Sequence, residues 1–108
     1  MQLHYAAHFV RDMGCTETEW RQWLRAALPD HEVPLASHET RIAIDSTEEG
    51  QAPEQGSLHL RWSVLPARQI ALIRIPRLQV AFEFDGLSDA ARNRFMRRLD
   101  LFLQRGGG

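Results

Sequence analysis

Between Ser57 and Gly86 apolar and polar residues alternate almost without a break. Leu58, Leu60, Trp62 and Val64 are interleaved with His59, Arg61 and Ser63, the period of a strand with one buried face. Ala71, Ile73 and Ile75 form a second alternating set, and Leu78, Val80, Phe82 and Phe84 a third. Three consecutive antiparallel strands are therefore expected. A four-residue loop over 66–69 sets Val64 opposite Ala71, Trp62 opposite Ile73 and Leu60 opposite Ile75. A turn around Pro76 and Arg77 then sets Ile75 against Leu78 and Ile73 against Val80, so one register keeps every apolar pair on the same face. Pro76 strains this scheme, because the first central residue of a two-residue hairpin prefers positive φ and proline is locked near about −65°. A distorted turn or bulge is expected there, with one long bent strand bulged at Pro76 as the rival arrangement.

The remaining pattern supplies the flanking elements. Residues 2–9 read as a strand with Leu3, Tyr5, Ala7 and Phe9 on one face and His4, Ala6 and His8 on the other. Thr16-Glu17-Thr18-Glu19 is a capping-box pattern, followed by Trp20, Trp23, Leu24, Ala27 and Leu28 as the apolar stripe of a helix that Pro29 ends. Residues 30–39 are irregular, and 40–45 form a strand with Thr40, Ile42 and Ile44 inward. Residues 46–56 hold no apolar side chain larger than alanine and read as a mobile surface loop. Asp85-Gly86 is a turn and Ser88 an N-cap; Ala91, Phe95, Leu99, Phe102 and Leu103 then give a helix stripe to about Arg105. The closing glycines stop that helix and leave 106–108 as a flexible tail.

The order β-α-β-β-β-β-α predicts a single α+β domain over 1–105, a two-layer sandwich with a four- or five-stranded antiparallel sheet and both helices on one face. A ferredoxin-like βαββαβ arrangement competes, but no strand follows the last helix. In element order the chain resembles TATA-binding-protein-like and helix-grip domains, a likeness of topology that implies a fold and no activity.

Composition narrows the setting more than the function. With 44% hydrophobic and 25% charged residues the chain has the make-up of an ordinary globular domain. No secretory signal or membrane-length apolar run is read, and the single Cys15 cannot close an internal disulfide, so a cytoplasmic protein is expected. All thirteen basic residues are arginine, as a GC-rich bacterial genome favours. Residues 1–56 carry four Arg against ten acids, a balance of −6, and 57–108 carry nine Arg against four acids, a balance of +5. Halves of opposite sign can pair within the fold or between copies, and they argue against a uniformly basic nucleic-acid binder.

The expected register also defines an outer sheet face. There Arg61 lies opposite Arg74, a like-charge pair that needs Glu83, Asp45 or a bound anion between its members. Ala6, Ala43, Leu72 and Ala81 make a small apolar centre suited to a second protein surface, most simply another copy. The aromatic residues belong to the inner set, which disfavours base stacking on the sheet. Arg94, Arg97 and Arg98 cluster on the solvent side of the last helix, with Arg92 and Arg105 near its ends, and could meet an acidic partner or phosphates. His4 and His8 are ~13 Å apart along a strand, too far to share an ion, and no metal, cofactor or catalytic motif is read. Cys15 sits beside an N-cap, where a helix dipole lowers a thiol's pKa; as a nucleophile it would need a nearby base such as His8. The expected function is a non-catalytic protein-interaction or self-association module, a homodimer or a complex with another protein. The alternatives are nucleic-acid or anion binding through Arg61, Arg74, Arg94, Arg97 and Arg98, and a small enzyme using Cys15.

Overall fold

The computed structural model describes residues 5–31, 37–47 and 50–105. Along them run β1 (His8–Met13), α1 (Glu17–Ala27), β2 (Glu39–Ser46), β3 (Glu54–Ile70), β4 (Ile73–Asp85) and α2 (Asp89–Arg105). The four strands form one antiparallel sheet in the order β1-β4-β3-β2. Trp20 and Leu24 of α1 and Ala91, Met96, Leu99 and Leu103 of α2 share one core with the inward residues of the strands. Over the described residues the chain is therefore an α+β two-layer sandwich with four strands and the element order β-α-β-β-β-α. No described helix is long and apolar enough to cross a membrane. The tail at 106–108, Leu3 and His4 lie outside the described residues.

Local chemistry explains the helix ends. Thr16 Oγ1 accepts from the Glu19 amide at 3.1 Å while Glu19 Oε1 accepts from the Thr16 amide at 3.0 Å, so the capping box closes. Ser88 Oγ accepts from the Ala91 amide at 3.2 Å and caps α2. Between β4 and α2, Gly86 has φ +81°, which costs glycine nothing and other residues more. Gly56 is required for a different reason: a Cβ there would lie 2.3 Å from the carbonyl oxygen of Asp85.

Two expectations about the strands are corrected. Among the described residues the first strand is His8–Met13, with 5–7 outside it and its end four residues beyond the expected one, although Tyr5 and Met13 still bury their side chains in the core as odd-numbered positions should. More consequentially, the Ser57–Gly86 stretch holds two strands instead of three. The expected loop 66–69 is strand, and the turn falls at Ala71-Leu72, between the cross-strand pair Ile70 and Ile73. Pro76 lies inside β4, and the ladder shifts register where Pro66 and Ala67 oppose it, between the Leu65–Arg77 and Arg68–Ile75 pairs. Two residues against one is a bulge, placed where proline on both strands removes ladder donors. Strand β3 also starts at Glu54, which shortens the expected loop from its far end.

Candidate functional site

Its neighbours accompany the central hairpin for only part of its length. β1 pairs β4 from Leu78 to Glu83, and β2 pairs β3 from Glu54 to Arg61. Past Val64 and Leu78 the hairpin continues as a two-stranded ribbon, and among the described residues no strand pairs with either of its edges. Isolated two-stranded ribbons are marginal in water, because they lack a face to bury. This one carries its apolar side chains outward: Val64 is 66% exposed, Ile70 52%, Ile73 64% and Leu72, at the turn, 100%. Ala71 turns the chain with φ 54°, a conformation that favours glycine at the first position of such a tight turn. Ribbon residues 64–77 include Arg68, Arg74 and Arg77 and no acid; Arg77 Nη2 reaches Asp12 Oδ2 at the base, 3.0 Å away.

The outer sheet face differs from its expected layout. Arg61 lies opposite Ala81 and Glu39, while Arg74 lies opposite Gln69 on the ribbon, so the two arginines never meet. The misplaced turn is the reason: a loop over 66–69 would set Arg61 opposite Arg74, whereas the reversal at Ala71-Leu72 sets Arg61 opposite Ala81. Arg61 is bonded to the Glu83 carboxylate. His59 stands between Glu39 and Glu83, at 3.5 and 3.7 Å. Leu72 is likewise far along the ladder from Ala81, which sits half-buried between Val10 and Arg61. The expected small apolar centre therefore loses Leu72, and the face is dominated by ion pairs. Leu72 belongs to the ribbon tip instead.

On α2, Arg97 and Arg98 are exposed as expected, while Arg94 is half-buried and donates to Ser46 Oγ at 2.7 Å. Arg92 is not on the solvent face: it is buried, donates to the carbonyl oxygens of Leu87 (2.9 Å) and Tyr5 (3.3 Å), and pairs with Asp89. A cavity of about 400 Å3 opens between the end of α1, the β2 edge and α2. Ile44, Phe95, Leu99 and Phe102 supply its apolar wall, and Asp30, Asp45 and Arg98 its charges.

Two polar clusters escaped the sequence pattern. Asp100 of α2 is buried and accepts from both terminal nitrogens of the Arg11 guanidinium, at 2.6 and 3.0 Å, together with the Tyr5 hydroxyl. Arg11 also lies over the rings of Phe9, Phe82 and Tyr5, 5.4 to 5.7 Å from their centroids. Burial, reinforced by the neighbouring Asp100 carboxylate, raises the Tyr5 pKa; the bond to Asp100 raises that of Arg11. A signal was present, since Asp100 stands four residues after Met96 and three before Leu103, inside the buried stripe. In the second cluster Glu17 Oε2 accepts from Trp62 Nε1 at 2.7 Å and meets His38 Nδ1 at 2.6 Å, with Arg21 3.7 Å away. Burial works to raise the Glu17 pKa, but the bonds from His38 and Trp62 and the nearby positive charges outweigh it and hold the group below its ordinary value.

Cys15 is sealed in the core at 1% exposure. Burial, with a smaller contribution from Glu19, pushes its thiol up to about 11, opposite to the helix-dipole effect expected from its position. Against a thiol at the ordinary 9.0, that rise lowers the thiolate fraction about a hundredfold. In the native protein at pH 8, iodoacetamide labelling of Cys15 is accordingly expected to be at least that much slower than in the denatured chain, as mass spectrometry of timed aliquots would show. The raised pKa also makes stability fall as pH climbs from 9 toward 11, because the unfolded chain ionises first.

Among the described residues no group of three His, Cys, Asp or Glu side chains is placed to hold a metal ion. Comparisons with protein-family models, curated protein sequences and solved structures found no match to this chain.

Proposed function

We propose that this chain is a non-catalytic protein-interaction module that self-associates through the β3–β4 ribbon. The ribbon tip supports this reading: Ile70, Leu72 and Ile73 are presented to solvent on an element whose edges pair with no other strand among the described residues. Folding alone gives no reason for that arrangement, since exposed apolar side chains and unpaired edges stabilise nothing until something covers them. The candidate nucleophile Cys15 is enclosed, and Arg61 of the outer face is already paired.

Sedimentation equilibrium over a range from low to high micromolar, with wild type beside the L72S/I73S variant, tests this. Wild type is expected above the monomer mass at the high end and the variant at the monomer mass. Wild type that stays monomeric throughout overturns the reading. So does wild type that stays monomeric yet binds a generic oligonucleotide at low salt with steep salt dependence, which would move the function to the arginines.

A further inference from the structure

We infer that the surface receiving the ribbon tip is the groove between the β2 edge and α2 of a second copy. This rests on the self-association proposed above and specifies where the contact lies. The groove's apolar wall of Ile44, Phe95, Leu99 and Phe102 is suited to bury Ile70, Leu72 and Ile73, with Phe102 43% exposed. Charge complements shape. Of the ribbon's arginines, Arg68 and Arg74 have no acid within ion-pair distance among the described residues, and neither Asp30 nor Asp45 of the groove has a base. Arg98, which also borders the groove, gives the tip a direction: its arginines settle toward the two aspartates and away from α2.

Distance makes the contact intermolecular. On the ladder Ile44 pairs with Gly56, whereas the tip lies at Ile70. Fourteen strand residues separate those positions, roughly 45 Å at strand rise, in a molecule whose longest extent is 54 Å. A tip cannot reach its own groove. Two copies lying side by side in opposite directions can each place a tip in the other's groove, which closes a two-fold dimer; the same contact repeated in one direction gives a chain. The split of charge between the two halves of the sequence matches this division, since the donor element is cationic and the acceptor's aspartates come from the acidic half.

Complementation distinguishes the contact from others. L72S/I73S has a disabled tip and an intact groove; D45R and, separately, F102S have an intact tip and a disabled groove. Each variant alone is expected to associate about tenfold or more weakly than wild type by sedimentation equilibrium. An equimolar mixture of tip and groove variants is expected to form 1:1 pairs, since one functional contact is restored. D45R changes an exposed side chain, so it tests the groove even if F102S disturbs the fold. Groove variants that associate like wild type, or a mixture no more associated than its separate components, overturn the arm-in-groove contact while leaving self-association standing. A monomeric wild type overturns both.

Discussion

Replacing Arg11 with alanine is expected to destabilise the fold by about 3 kcal/mol or more, lowering Tm by roughly 12 °C or more for a domain of this size. The cause is what the substitution leaves behind. Asp100 is 6% exposed and would keep its negative charge with, among the described residues, only the Tyr5 hydroxyl to serve it. Unpaired buried charge costs more than the pair itself contributes, so the paired replacement R11M/D100L is expected to recover most of the loss. Thermal unfolding of the single and double variants measures this as a coupling. Similar losses in R11A and R11M/D100L would mean that the guanidinium acts by packing on the rings instead.

Trp62→Ala is expected to cost about 3–5 kcal/mol, the usual range for emptying a buried aromatic site. Trp62 is 5% exposed, meets Trp20 edge-on at 6.0 Å between ring centroids and lies under the Arg21 guanidinium. Trp62→Phe separates two roles, keeping part of the volume while deleting the bond to Glu17. The pH dependence reads out the second role. Because the folded-state pKa of Glu17 lies below the ordinary 4.5, its contribution is present above that value and is lost as pH falls below it. Denaturant midpoints measured from pH 6 down to pH 3 are expected to fall less steeply in Trp62→Phe than in wild type. Equal slopes would show that His38 and Arg21 hold Glu17 without Trp62.

Much of the framework was legible because it depends on neighbours in sequence. The Thr16 box, the Ser88 cap, the Asp85-Gly86 turn and the inward set Thr40, Ile42 and Ile44 all appear where pattern and capping chemistry place them. The division of the hairpin was not legible. Pro66 and Pro76 carry the strongest local turn signals, while the true turn is Ala71-Leu72, a pair with no turn preference at all. The outer-face pairs depend on the expected turns: only a reversal over 66–69 would bring Arg61 to Arg74, and only one at Pro76 would bring Leu72 to Ala81. Arg94, Arg97 and Arg98 depend on no such reversal, since helical spacing alone sets their neighbourhood.

By itself, then, the sequence determined the inward positions of β2 and of the covered parts of β3 and β4, where the helices start and that an antiparallel sheet carries them, since these follow from periodicity and from hydrogen bonds closed within a few residues. Tertiary structure decided the register and length of the hairpin, the burial of Asp100 and Arg92, and the exposure of Ile70, Leu72 and Ile73. The physical reason is common to all three. An alternating apolar pattern marks a face, but only the positions of β1, β2 and the two helices decide where along β3 and β4 that face is covered, and the ribbon begins where their cover ends.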